Sequence, residues 1–335
     1  MARKPRLEFE GAAYHVMSRG DHGEAIFSDD RDRLTFLKTL GEACGRTGWV
    51  VHTYVLMGNH YHVLLETPQA NLVAGMQWLQ STYTQRYNAR HQQRGHLFQG
   101  RYKAIPVEAG QDGCFARMAM YIHLNPVRAG LMPEGAPMDQ YAWSSLPAYT
   151  GRERAPEWLR LARVLAAMGR SDTPAGRRAY AGAVEARAQE CRTERGRAGL
   201  EVEWDAIRRG WYVGSAAFKD SLLDQFDQAT EGKAGDSFSG GAVSERGERA
   251  ALALLKEGLL ALQIKSKRLA EMPKGALEKR VLAWLLKKRV VVRNAWIAEH
   301  LHMGHPSNIP GFVAAVDKAN GGAAQALLDK VAILK

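Results

Sequence analysis

Leu56-Met57-Gly58-Asn59-His60-Tyr61-His62-Val63-Leu64-Leu65-Glu66 is the stretch on which the reading of this chain turns. Gly58-Asn59 separates two β-rich runs, Trp49–Met57 and His60–Glu66, and so short a break fits a tight antiparallel hairpin. Side chains alternate along a strand, so His60 and His62 share one face while Val63 and Leu65 bury the other and hold the strand in place. Two imidazoles fixed in that way can share one ion. The bland alternative is a pair of unrelated histidines on a solvent-facing strand, in a chain that has 11 of them.

Outward from this hairpin, further β-rich runs fall at Ala13–Ser18 and Leu97–Pro106, and helical periodicity fits Asp29–Arg46, Ala70–Arg90 and Gly110–Leu124. The order β-α-β-β-α-β-α predicts an α+β fold over residues 1–150, a ferredoxin-like antiparallel sheet with helices on one face. After Thr150 the pattern changes to arginine-rich helical segments, Glu157–Met168 and Pro174–Arg195, followed by Gly214–Ala229. These make residues 151–230 a helical extension. A polar stretch rich in Gly and Ser marks a linker over 231–243, and residues 244–335 form a last all-α unit.

Within that last unit, Leu277–Lys288, Asn294–Leu301 and Ser307–Asn320 read as consecutive helices, with a turn at Met303-Gly304. Ile297, Ala298, Leu301, Ile309, Phe312, Val313 and Val316 take the core spacing. The pattern is that of a helix-turn-helix, and it sets Ser307 and Asn308, beside His305, near the start of a recognition helix, where base edges are read. A helical bundle that only braces the rest of the chain fits the same residues.

A pair of histidines does not settle a metal, because imidazole suits manganese, cobalt or zinc better than magnesium, and an oxygen ligand is still needed. Asn125 can supply it. In Phe115-Ala116-Arg117-Met118-Ala119-Met120-Tyr121-Ile122-His123-Leu124-Asn125, Tyr121 and Asn125 lie four apart on one helical face, with Arg117 one turn earlier. Pro126 biases the preceding residue away from helical ψ, which puts Asn125 at the helix end. Between the histidines and Tyr121, Arg86, Arg90, Arg94, Arg101 and Lys103 are interleaved with Tyr83, Tyr87, His91, His96, Phe98 and Tyr102. Cations beside rings suit a single nucleic-acid strand, with Arg94 and Arg101 the better contacts and Tyr83 and Phe98 better read as core.

Composition agrees with a polyanionic partner: the 335 residues carry a formal net charge of +11. Residues 1–150 hold 15 Lys+Arg against 13 Asp+Glu, and residues 151–335 hold 31 against 22, so most of the excess lies in the second part. Three widely spaced cysteines, Cys44, Cys114 and Cys191, argue against a disulfide framework or a cysteine-rich zinc site and fit a reducing cytosol. With a charged first ten residues and no apolar run of spanning length, a cytoplasmic protein with no membrane partner is expected.

Four blocks in order, Met57-Gly58-Asn59-His60-Tyr61-His62, Gly95-His96-Leu97-Phe98-Gln99-Gly100-Arg101-Tyr102-Lys103, Tyr121-Ile122-His123-Leu124-Asn125-Pro126-Val127-Arg128-Ala129-Gly130 and Trp143-Ser144-Ser145, resemble the single-tyrosine transposases with a His-hydrophobic-His motif. The resemblance covers about residues 5–150 and is to the REP-associated branch. It implies a ferredoxin-like fold, His60 and His62 as metal ligands, Tyr121 as nucleophile and Asn125 as the polar residue completing the metal site. It also implies a divalent cofactor, Mg²⁺ or Mn²⁺, and single-stranded DNA with hairpins as substrate, cleaved and rejoined through a 5′-phosphotyrosine. Arg94, Arg101, Lys103, Arg117, Ser307 and Asn308 are the expected DNA contacts, and the active unit is a monomer or a homodimer. Two other readings stay open: a regulator that binds DNA without cutting it, and a metal-dependent hydrolase acting on RNA or nucleotides in which Tyr121 is structural.

Overall fold

The computed structural model describes residues 6–230, 240–318 and 322–334. Four strands, β1 (Ala12–Arg19), β2 (Val50–Leu56), β3 (His60–Thr67) and β4 (Lys103–Val107), form one antiparallel sheet in the order β2-β3-β1-β4. This is the expected α+β, ferredoxin-like arrangement. Gly58 and Asn59 make the hairpin between β2 and β3, closed by Met57 N donating to His60 O at 2.8 Å. Its register pairs Leu56 with Tyr61 and Val55 with His62, and on the other side His62 faces Met17 of β1.

Helices α1 (Asp30–Thr47) and α2 (Leu72–His91) share one face of the sheet. The Asp29 side chain accepts from Asp32 N at 3.1 Å to cap the start of α1, and Gly48, at φ 73°, turns the chain out of its end. Under these helices Phe36, Tyr61, Tyr83 and Phe98 form an aromatic cluster, with ring centroids of Phe36 and Tyr61 4.7 Å apart. Gly75 lets α2 approach closely: a Cβ there would meet the Trp49 ring at 2.1 Å. The expectation of helices on one face describes this crossover pair. The third helix, α3 (Asp112–His123), lies on the other face, where Phe115 meets His52 edge-on at 5.0 Å.

The expected strand Leu97–Pro106 is divided. Residues 97–99 run beside the end of β1, with Gln99 N donating to Arg19 O at 2.8 Å, and Gly100, at φ 59°, breaks the run before β4 begins. Beyond α3 come α4 (Asn125–Arg128) and α5 (Leu146–Thr150), between which Trp143–Ser145 attaches to the outer edge of β2. There Leu56 N donates to Trp143 O and Ser145 N to Tyr54 O, while Ser145 Oγ lies 2.7 Å from Nε2 of the buried His123. These bonds tie the sheet edge to α3.

Four more helices follow: α6 (Ala162–Ala167), α7 (Pro174–Arg192), α8 (Glu194–Arg209) and α9 (Ala216–Thr230). Tyr180, Val184, Leu200, Trp204 and Ile207 join the core of the sheet and its helices. The compact unit Arg6–Gln225 thus takes in both the sheet domain and most of the helical extension. Helix α8 is a difference from the sequence reading, which ended a helix at Arg195 and began the next at Gly214.

The second unit, Phe226–Lys335, has a separate core built by α10 (Gly241–Ala261), α11 (Arg268–Glu271), α12 (Leu277–Arg289), α13 (Asn294–His300), α14 (Ile309–Asp317) and α15 (Gly322–Val331). Of the expected linker, residues 231–239 lie outside the described residues, and Gly241 already opens α10. The three helices expected here form as α12, α13 and α14, although residues 319–320 of the third lie outside the described residues. Ile297, Ala298, Leu301, Ile309 and Val316 are buried, and Phe312 and Val313 pack half-buried against them. Lys279 is fully buried, with Nζ donating to Met272 O at 3.0 Å and His302 O at 3.1 Å, so its charge is met by two carbonyls.

Candidate active site

Strand alternation sends His60 and His62 to the α3 face and Tyr61 to the aromatic cluster. The two imidazole centroids are 5.2 Å apart. Tyr121, on the last turn of α3, presents its ring 6.0 Å from His62 and 5.8 Å from His15, a residue of β1. All four groups belong to one chain and one side of the sheet. A phenol and two imidazoles therefore converge without help from a second copy.

The ring nitrogens are oriented. Asn59 donates from Nδ2 to Gly23 O at 2.9 Å, which turns its Oδ1 to His60 Nδ1 at 2.7 Å. Because that oxygen can only accept, Nδ1 of His60 carries the hydrogen and Nε2 keeps the lone pair. His62 Nδ1 is engaged by His15 Nε2 at 2.8 Å, which leaves Nε2 of His62 as its other nitrogen. Burial holds both imidazoles neutral, aided at His60 by the facing Arg19 and at His62 by His15 and His60. The pKa of His60 falls to about 4 and that of His62 well below its ordinary value. Neutral rings with anchored Nδ1 atoms are what metal ligation requires.

Asn125 opens α4, just after the end of α3, consistent with the effect expected of Pro126. Its Nδ2 donates to Tyr121 O at 2.9 Å and Ile122 O at 3.2 Å, so the amide nitrogen is committed to the helix end and Oδ1 is the end suited to a cation. Imidazole nitrogens and amide oxygens are ligand types that suit a divalent ion of the Mn²⁺ type and tolerate Mg²⁺.

The cation beside Tyr121 is not the one the helical spacing suggests. Arg117 is half-buried on α3, close enough to Cys114 for its charge to act on that thiol. The guanidinium over the phenol is that of Arg128, 4.8 Å from the ring centroid of Tyr121 and 4.7 Å from that of Trp204. Trp204, on α8, meets Tyr121 edge-on at 5.6 Å. Sequence reasoning missed His15, Arg128 and Trp204. Arg128 was in view within the Asn125–Gly130 block, and the spacing of Leu200, Trp204 and Ile207 was the available signal for α8.

Among the other expected contacts, Lys103 opens β4 and donates from Nζ to Arg208 O at 2.8 Å, and its charge also bears on His15 and His62. Arg94 and Arg101 are exposed in the segment between α2 and β4. Ser307 and Asn308 are exposed in the second unit, in the short turn Pro306–Asn308 that leads into α14. No group of three or more His, Cys, Asp or Glu side chains able to hold a metal occurs among the described residues. No helix among them is long and apolar enough to cross a membrane.

Residues 8–124 match the family described as "Transposase IS200 like". Among solved structures, one described as a REP-associated tyrosine transposase bound to a REP hairpin aligns with 48% of this chain and 92% of its own length, at 12% identity and a TM-score of 0.36. That likeness is too distant to argue from. No curated protein matches. The matched segment spans β1 to the end of α3 and so contains His15, His60, His62 and Tyr121. Residues 8–124 are thus similar to the IS200-like transposases, over about a third of the chain.

Proposed function

We propose that the protein cleaves and rejoins single-stranded DNA at hairpin-associated sites, with Tyr121 as nucleophile and His60, His62 and Asn125 as ligands of a divalent cation. One observation carries this reading: Tyr121 lies on the same sheet face as the two histidines, its ring 6.0 Å from that of His62, within one chain. A cation of the Mg²⁺ or Mn²⁺ type bound there would polarise the nonbridging oxygens of the phosphate. The Tyr121 oxygen attacks phosphorus as its proton departs, a P–O bond to tyrosine forms, and the bond to the 3′ oxygen breaks. That oxygen leaves with a proton, and the 5′-phosphotyrosine keeps a bond from which rejoining can proceed. No ATP is consumed, in keeping with a sequence that lacks a Gly-x4-Gly-Lys-[Ser/Thr] loop.

Arg128 over the phenol ring favours negative charge developing on Tyr121, and His15 and Asn59 hold the imidazoles in their ligating orientation. Arg94, Arg101, Lys103 and Arg117 are assigned to the strand's phosphates. Helices α12 to α14 are assigned to a helix-turn-helix, with Ser307 and Asn308 at the base edges. The test is incubation with hairpin-bearing single-stranded DNA and Mn²⁺, followed by a denaturing gel. The protein is expected to give a covalent adduct that Tyr121→Phe abolishes. Tight binding without an adduct under several divalent ions would instead identify a noncatalytic regulator, and free-hydroxyl products with no adduct would identify a hydrolase.

A further inference from the structure

Beside the nucleophile lies a cavity of about 430 Å³, walled by α4, the loop after it, and the facing parts of α7 and α8. Its size is in the range of sites that enclose small ligands, about 300–1,000 Å³. Arg128, over the Tyr121 ring, and Trp204, edge-on to it, form the wall nearest the phenol. Met132 and Leu200 supply apolar surface, and Arg192 and Arg197 supply charge.

Two of these lining residues hold buried hydrogen-bond donors with no partner. The indole N–H of Trp204, a residue 1% exposed, has none, and neither does Nη1 of Arg192, whose Nη2 donates to Pro133 O at 3.0 Å. Buried donors are nearly always paired, so two orphans on one cavity point to an acceptor-bearing occupant. Three guanidinium groups line the same space, against the carboxylates of Glu134 and Glu201, and Glu201 is already paired with Arg208 and with Arg128. An occupant with acceptor edges, a flat apolar body and negative charge fits all of this. Nucleotides have those three properties, and the shared wall puts the occupant next to the phosphate that Tyr121 attacks.

We propose that this cavity receives one unpaired nucleotide of the DNA strand adjoining the scissile phosphate, its base edge accepting from Trp204 and Arg192 and its phosphate lying against Arg197. The inference rests on the reading of Tyr121 as nucleophile for DNA and specifies how the strand is selected there. A pocket for one base would make cleavage selective at a single position beside the cut.

The experiment uses full-length protein carrying Tyr121→Phe, so that binding is measured without cleavage. Its ligands are hairpin-bearing single-stranded oligonucleotides in which one abasic residue is moved stepwise across the cleavage region. At one position the missing base is expected to weaken binding by about 10-fold or more, the scale of one lost base contact. Adding Arg192→Gln should weaken binding to the intact strand and remove the sensitivity at that same position. Arg197→Gln, at an exposed residue that does not support the core, should weaken binding to every oligonucleotide. If the abasic and Arg192→Gln penalties simply multiply, or if no position is sensitive, the pocket assignment is overturned while the DNA reading stands. Failure to bind any of the oligonucleotides would overturn both.

Discussion

On β3, Tyr61, Val63 and Leu65 point toward α1 and α2, whereas His60 and His62, each one residue away, point toward α3. The first face is a closed aromatic cluster. There Tyr61 is fully buried, its phenol pushed upward in pKa by burial, with Gln80 Nε2 donating to its oxygen at 3.2 Å. The second face carries imidazoles, an amide and a phenol beneath a guanidinium, groups that suit ions and phosphates. By the two-residue period of its side chains, one strand thus presents a packed aromatic face on one side and the face proposed for the chemistry on the other.

Two tyrosines on opposite faces offer the sharpest way to break this comparison. Tyr121→Phe should lower strand cleavage by at least about three orders of magnitude, the scale on which an essential nucleophile is lost. Its thermal midpoint should barely change. An adduct persisting in this variant would remove the distinction between the faces. Next in size, His62→Ala should abolish the dependence of cleavage on added Mn²⁺ while leaving hairpin binding intact, as read by parallel cleavage and gel-shift titrations.

A smaller effect is expected one step behind the ligand. His15→Ala removes the partner of His62 Nδ1 and should weaken metal binding by about 10–100-fold. Isothermal titration with Mn²⁺ measures this, and an unchanged affinity would make His15 a packing residue only.

The histidine face should also be the acid-sensitive one. Burial lowers the pKa of His60 to about 4 and those of His15 and His123 to about 3, from an ordinary value of 6.5. Below that ordinary value the unfolded chain takes up protons that the folded state refuses, so stability is full above about pH 6.5 and is lost as pH falls toward 4. Urea midpoints measured across this interval should drop, and a flat profile would contradict the burial of these rings. The least effect belongs to Tyr61→Phe. It forfeits one hydrogen bond, about 1 kcal/mol, and leaves cleavage unchanged.

What could be read from the sequence follows the range of each signal. The hairpin was legible because Gly58-Asn59 and the alternation around His60 and His62 are local, and the closeness of Asn125 to Tyr121 followed from helical spacing. His15 was not, since only the pairing of β1 with β3 brings it to His62, 47 residues away. Helical spacing followed backward from Tyr121 leads to Arg117, and the helix end marked by Pro126 hides Arg128 from that reasoning. Across that break α4 returns Arg128 to the phenol. Helix α8 was concealed by Gly196 and Gly199 in a run rich in Arg and Glu, although Leu200, Trp204 and Ile207 mark its buried stripe.

The most direct test of the account is mass spectrometry of the protein–DNA product formed with Mn²⁺ after proteolysis. A single peptide carrying a nucleotide through a 5′-phosphate on Tyr121 is the predicted result. Attachment at any other residue, or cleaved DNA with no modified peptide, would contradict it.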